Sequence, residues 1–337
     1  MIPVSEHLLT GREVFGFAVA IQFLMIGFGS PLFGAIADKY GSSKAALYGV
    51  ILLIIGLYMM SKVQSSLEII ISQAIFGLGS AGCGTAVVLG AVGKAVEEKN
   101  RTLSLGIVMA AGSLGQFLIV PLAGFLIYLS GWTQSIIYLC FISSIMIIFC
   151  FTLTLPKKNG EDSERNNRSL KSVLDEAFAN KSYNLLTLGF FVCGFHVSFV
   201  ATHLPAYLED ISLPIWIGSW SLALIGLFNV FGTLMFGKMG DSKSKKNLLA
   251  ILYSLRAVLF LIFIFLPKNE ITILIFAALL GILWLSTVPL TSGIISVIFG
   301  SRYMSMLYGF TFLSHQIGSF LGSWFGGRLY DYYGSYD

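Results

Sequence analysis

The sequence predicts an all-α membrane protein built from two related half-bundles, and three observations lead there. Charged residues are 11% of the 337 positions and apolar residues 56%, with a mean hydropathy of +0.83. A soluble domain carries about 25% charge, so this chain has too little polar surface to face water. Its apolar residues gather into ten stretches, each near the length of about 20 residues that crosses a hydrocarbon core. Finally, the phrase Gly34-Ala-Ile-Ala-Asp38-Lys39 returns 203 positions later as Gly237-Lys-Met-Gly-Asp241-Ser242.

In chain order the spans are roughly 14–37, 45–62, 68–93, 103–129, 132–155, 184–208, 215–237, 247–266, 271–298 and 304–327. All 17 acidic residues fall in loops or at span ends, and Arg256 is the only strong base in mid-span. Closed β-barrels also cross membranes, but they need short segments alternating apolar and polar residues, and this chain has none. Cys83, Cys140, Cys150 and Cys193 all lie inside spans without a metal-site spacing, and read as small apolar fillers.

Alternate loops divide the basic residues unevenly. One side holds sixteen Lys and Arg, from Lys39 and Lys44 through the 157–181 cluster to Lys238–Lys246 and Arg302; the other holds Arg12, Lys62, Lys268 and Arg328. The rich side is therefore expected to be cytoplasmic. The central loop, 156–183, links the two halves 1–155 and 184–337. Within it Leu170, Val173, Leu174, Ala177 and Phe178 keep helical spacing, which predicts a short amphipathic helix on the inner membrane surface.

The repeat extends beyond one phrase. At the same offset Gly29 meets Gly232, Phe33 meets Phe236, Gly106 meets Gly309, Gly115 meets Gly318, Gly124 meets Gly327 and Gly131 meets Gly334. Glycines at fixed intervals suit close helix packing in lipid. The offset carries 184–208 to positions before the first residue and 132–155 beyond the last. The expectation is thus about ten of twelve helices, in a fragment or a gene product lacking helices 1 and 12.

At the turn after the first span, Asp38 can accept backbone N–H groups at a helix N-terminus and pair with a nearby lysine. Gly41 can take the left-handed conformation that stops a helix. Gly34, one turn before Asp38, lets a neighbouring helix approach the carboxylate. Together Gly34, Asp38, Lys39, Gly41 and Lys44 resemble the signature of the major facilitator superfamily, with Ser42 and Ser43 where that signature often has basic residues. The second copy keeps Gly237 and Asp241, followed by Lys243, Lys245 and Lys246. The segments Phe17–Gly41, Cys193–Tyr207 and Gly326–Tyr336 are similar to the monocarboxylate-transporter-like branch. The resemblance implies a cytoplasmic latch at the Asp38 and Asp241 turns and a central cavity between two six-helix halves.

With no acid in mid-span, histidines are the groups placed to carry a proton or bind an anion. His196 and His203 stand seven apart on one helix, with Tyr207 four further on, so all three share a face. Pro205 breaks the backbone ladder beside His203. His315 lies on the last span beside Gln316. Candidate solute and proton ligands are therefore His196, His203, Tyr207 and His315, with Asn229 and Gln116 as neutral donors. For a single buried histidine, packing is the commoner role, and Asn229 and Gln116 more often join helices. Arg256 could hold a carboxylate, although snorkelling or pairing with a backbone carbonyl is the more common fate.

No phosphate-binding loop of the Gly-x-x-x-x-Gly-Lys-Ser/Thr type is present, which argues against ATP-driven transport. Nor is there a catalytic constellation or a basic nucleic-acid-binding domain. The reading is a secondary transporter, not an enzyme, without a cofactor, monomeric, and set in a bacterial inner membrane with its basic loops inside. Its solute is a small organic anion such as a monocarboxylate moved with a proton. Efflux of an apolar compound is the alternative within transport, and a solute sensor the alternative outside it.

Overall fold

The structure is a computed structural model, and it describes residues 12–153 and 170–333. Those residues form thirteen α-helices: α1 (Arg12–Tyr40), α2 (Ser42–Met60), α3 (Ser66–Cys83), α4 (Thr85–Ala95), α5 (Arg101–Ser144), α6 (Met146–Cys150), α7 (Leu170–Ala179), α8 (Lys181–Asp210), α9 (Ile215–Ser242), α10 (Lys245–Phe265), α11 (Glu270–Leu283), α12 (Thr287–Phe299) and α13 (Met304–Tyr333). Nine spans among the described residues are long and apolar enough to cross a membrane. They coincide with the first nine windows of the sequence. The tenth, α13, is a 30-residue helix outside that set. His315, Gln316 and a series of Ser and Thr lower its hydropathy, and several of these (Thr311, His315, Gln316 and Ser319) are buried in protein.

The 44-residue α5 turns at Gly131 (φ 75°, ψ 166°), between the expected spans 103–129 and 132–155, so it supplies both crossings. Two predicted spans contain breaks that hydropathy does not show. The 68–93 span is broken at Gly84, between α3 and α4. The 271–298 span is broken over 284–286, between α11 and α12. Moved by 203 positions, Gly84 falls on Thr287, the first residue of α12, so the two breaks occupy equivalent places in the repeat. By contrast α8 runs through Pro205 without ending.

Two compact units are distinguished. The first takes residues 1–95, 123–192 and 299–317; the second takes 96–122, 193–298 and 318–337. In the first, α1, α2 and α3 pack on one another around Phe33, Ala37, Ala45, Ala46, Val50 and Ala81, with Cys150 of α6 closing the cluster. In the second, α9, α10 and α11 pack together, and Val200, Leu204 and Leu208 of α8 join Ile225, Ile273 and Leu280 in its core. Burial of this kind does not discriminate strongly between helix pairs in lipid, so close approach and polar contacts select the partners.

The helix in the central loop forms as the spacing predicts, at 170–179. Its apolar face turns onto the protein rather than the membrane surface. Val173 and Ala177 are buried, and the Phe178 ring stands edge-on to Tyr183 at 6.1 Å and Phe310 at 5.4 Å. Asn180 then starts α8, its side chain accepting from the backbone N–H groups of Ser182 (2.9 Å) and Tyr183 (3.1 Å).

Gly41 separates α1 from α2 with φ 102° and ψ 143°, a conformation closed to L side chains. A Cβ there would meet nothing within 4 Å. Gly41→Ala is therefore expected to lose about 1–3 kcal/mol through backbone strain alone. Thermal unfolding of the purified protein measures this, and an unchanged midpoint would show that the turn relaxes freely.

Candidate functional site

Asp38 sits in the last turn of α1, one turn after Gly34. Its Oδ2 accepts the Met306 N–H at 2.7 Å and its Oδ1 accepts from Lys94 Nζ at 2.5 Å. Met306 lies in the first turn of α13, where N–H groups have no partner within the helix and the macrodipole is positive. The carboxylate thus caps a helix 268 residues away in sequence, not the adjacent α2, whose N-cap Gly41 makes no side-chain bond. The lysine is likewise distant. Lys94 pairs with Asp38, while Lys39 lies over the Tyr40 ring at 5.0 Å and Lys44 is exposed. Gly34 permits the approach, since a Cβ on it would stand 2.7 Å from the Ser305 carbonyl carbon and 2.8 Å from Met306 Cα.

A second interlock of the same design lies in the other unit. Asp241, near the end of α9, accepts from the backbone N–H groups of Thr102 (2.7 Å) and Leu103 (2.9 Å) in the first turn of α5. Gly237 again lies one turn before the acid, and a Cβ there would be 3.3 Å from Gly106 Cα. The offset of 203 carries Asp38 to Asp241, Gly34 to Gly237, Leu103 to Met306 and Gly106 to Gly309. It even preserves the packing behind the acids: a Cβ on Gly309 would stand 2.6 Å from the Ser30 carbonyl oxygen, and one on Gly106 2.6 Å from that of Thr233, the repeat mate of Ser30. The cation is not repeated. Lys94 maps to Val297, and among the described residues Asp241 has no ion pair. Gly115 departs from the close-packing expectation, having nothing within 4 Å.

The candidate solute ligands are spread over both units. In the second, His203 is 7% exposed and its Nε2 lies 2.9 Å from the Ser323 carbonyl oxygen. That oxygen can only accept, so Nε2 carries the hydrogen. His203 and Tyr207 both line a cavity of about 430 Å³, whose other walls include Phe199, Phe260, Phe263 and Phe276. Lys268 reaches its edge but caps α10, donating to the carbonyls of Phe263 (2.6 Å), Ile264 (3.1 Å) and Leu266 (2.8 Å). His196 is not on that lining; its ring meets Phe260 at 5.5 Å. Asn229 is 1% exposed, and its amide is engaged by Ser113 Oγ (2.7 Å) and the Leu285 N–H (2.9 Å). His315 belongs to the first unit, stacked on Phe312 at 5.3 Å with Phe190 at 4.7 Å and its Nδ1 3.2 Å from Gln316 Oε1. The Gln116 side chain lies outside the described residues.

Of the two common fates the sequence left open, Arg256 shows pairing with backbone carbonyls and not snorkelling. It is 1% exposed, with Nη2 donating to the carbonyls of Leu283 and of Trp284 (2.6 Å) and Nη1 to Cys193 Sγ (3.4 Å).

The paired interlocks, placed by one offset at the ends of two spans, agree with a direct comparison of the sequence with known families. The profile described as Major Facilitator Superfamily matches residues 1–323. The chain belongs to the major facilitator superfamily. It is a multi-pass membrane transporter of that superfamily and not an enzyme. Similar proteins include the uncharacterized MFS-type transporter YcxA of Bacillus subtilis (strain 168), 22% identical over 98% of this chain and 82% of its own length. The oxalate:formate antiporter of Oxalobacter formigenes is 20% identical, over 97% of this chain and 78% of its own. Monocarboxylate transporter 12-B of Danio rerio is 24% identical, over 91% and 71%. The fold is similar to that of the E. coli fucose:proton symporter FucP, with a TM-score of 0.73 at 15% identity, covering 99% of this chain and 89% of that one.

Within this facilitator bundle, sequence reasoning missed three contributors: Lys94 as the partner of Asp38, the first turns of α5 and α13 as the capped sites, and the two breaks. The repeat held a signal for the second of these, because Leu103 and Met306 are themselves related by the offset that relates the two acids. Lys94 carried no such signal.

Proposed function

We propose that this facilitator moves a small organic anion, such as a monocarboxylate, together with a proton, by alternating exposure of one site to the two sides of a bacterial inner membrane. The observation that carries the alternating-access reading is the pair of repeat-related interlocks. Each joins an acid from one repeat half to a helix N-terminus of the other, and each is small enough to open and re-form. They act as a latch on the cytoplasmic side, where the excess of basic loops belongs. Opening one exposes a carboxylate and a few N–H groups to water, which solvates them again. Two half-bundles, 1–155 and 184–337 joined by 156–183, then rock about the solute as a monomer.

The anion class is supported by the chemistry of His203 and Tyr207, which face a shared cavity with no acid among the described residues that line it. It is supported too by relatives whose names specify carboxylic acids: the oxalate:formate antiporter, monocarboxylate transporter 12-B and the sialic acid transporter NanX of Escherichia coli (strain K12). His196 and His315 complete the set of proton-carrying candidates. The aromatic walls of the same cavity favour a second reading, export of apolar compounds, in line with the relative named fujikurins efflux protein of Gibberella fujikuroi.

Uptake of labelled formate, oxalate and lactate into proteoliposomes, with and without an inward proton gradient, separates the two readings. Accumulation driven by the gradient is expected, and His203→Ala is expected to remove its pH dependence. Export of hydrophobic dyes with no movement of acids would overturn the anion reading. Unaltered pH dependence in His203→Ala would exclude that histidine as the carrier.

A further inference from the structure

We propose that Arg256 and Asn229 are positioning residues that lock the break between α11 and α12 and tie it to the seam between α5 and α9. The tie to transport rests on the alternating-access reading above; the lock itself does not. A break inside a span frees carbonyls at the end of one helix and N–H groups at the start of the next, and lipid offers them no partners. Here side chains from two other helices meet them. Arg256 of α10 donates from Nη2 to the carbonyls of both Leu283 and Trp284. Asn229 of α9 accepts the Leu285 N–H at 2.9 Å. Ser286 Oγ donates to the Ile282 carbonyl at 2.6 Å, and Thr287 Oγ1 lies 3.4 Å from Cys193 Sγ of α8.

The arginine carries a full charge at 1% exposure, and the negative end of the α11 macrodipole is what faces it. Its planar guanidinium meets the two successive carbonyls from Nη2 and the Cys193 thiol from Nη1. Asn229 has a second task, because its Nδ2 donates to Ser113 Oγ of α5 at 2.7 Å. Along this seam α5 and α9 are joined at three levels: Asp241 to Thr102 and Leu103, Gly237 to Gly106, and Asn229 to Ser113. Separating α5 from α9 therefore pulls on the one side chain that also fixes Leu285.

The equivalent break after Cys83 lacks this lock. The repeat mates of Asn229 and Arg256 are Ile26 and Leu53, and among the described residues the polar side-chain bonds near Gly84 are local, from Ser80 to the Phe76 carbonyl (2.8 Å) and from Cys83 to that of Gly79 (3.3 Å). The second break is therefore held by polar side chains and the first by packing.

The test uses the full chain in nanodiscs, with Arg256→Lys, Asn229→Ala and Ser113→Ala compared by amide hydrogen exchange and by uptake. Loss of the bonds from Arg256 or Asn229 to the break is expected to speed exchange roughly tenfold or more across 282–290, with residues 76–90 unchanged as the internal control. Ser113→Ala leaves Arg256 and the Leu285 bond in place and keeps the experiment interpretable if another variant does not fold. Exchange is read without solute, so it stands whatever the substrate proves to be. In uptake, Asn229→Ala and Arg256→Lys are expected to lower the maximal rate roughly tenfold while the half-saturating concentration stays within about twofold. Unaltered exchange at 282–290 in both Arg256→Lys and Asn229→Ala overturns the lock. Faster exchange with an undiminished maximal rate overturns its tie to transport.

Discussion

Asp38→Ala is expected to destabilise the protein by about 3–5 kcal/mol, because it leaves a largely buried lysine without its counter-ion. The Asp38 side chain is 0% exposed and that of Lys94 19%, so water cannot take over the carboxylate's part. The Met306 N–H loses its acceptor in the same step. Asp241→Ala removes an equivalent helix cap but strands no cation, and is expected to cost about 1–2 kcal/mol. Midpoints of thermal unfolding in one detergent compare the two directly. A further variant, Asp38→Ala with Lys94→Ala, should recover part of the loss by removing the stranded charge. Equal losses for Asp38→Ala and Asp241→Ala, or no recovery in the double variant, would mean that the ion pair does not set the difference.

A single methyl at Gly34 should have an effect of similar rank on transport. In Gly34→Ala the new carbon would sit 2.7 Å from the Ser305 carbonyl carbon and 2.8 Å from Met306 Cα, both backbone atoms that cannot rotate aside. The first turn of α13 must back away, and the 2.7 Å bond from Met306 to Asp38 goes with it. Overpacking of this kind costs about 1–3 kcal/mol, and the loss of the interlock adds to it. Gly112→Ala is the control on α5: nothing stands within 4 Å of that position, so the change is expected to be neutral or to stabilise by about 0.5–1 kcal/mol. Uptake that is lost in Gly34→Ala and kept in Gly112→Ala would tie transport to close approach at the interlock. Full uptake in both would show that α1 and α13 need not meet there.

Much of this protein was legible in one dimension. Composition decided the solvent, since a chain with 11% charged residues has too little polar surface for water. Nine of the ten expected spans recur as structural spans, because crossing lipid demands a length and an apolarity that any window can measure. The repeat pointed to Asp38 and Asp241 as counterparts, and Gly34 and Gly237 as the residues that let a helix close on each.

The tertiary structure alone decided who meets whom. Asp38 had lysines at positions 39 and 44 and found Lys94 instead, together with an N–H 268 residues away. Arg256 could have snorkelled, and became the cap of a break that hydropathy reads as an unbroken span. Asn229 could have faced a solute, and its amide is engaged by Leu285 and Ser113. The reason is physical. Lipid imposes one local rule on every helix, apolar residues over a set length, and a local rule leaves a local trace in sequence. Which polar group answers which depends on where helices distant in the chain come to lie side by side, and no window of twenty residues contains that.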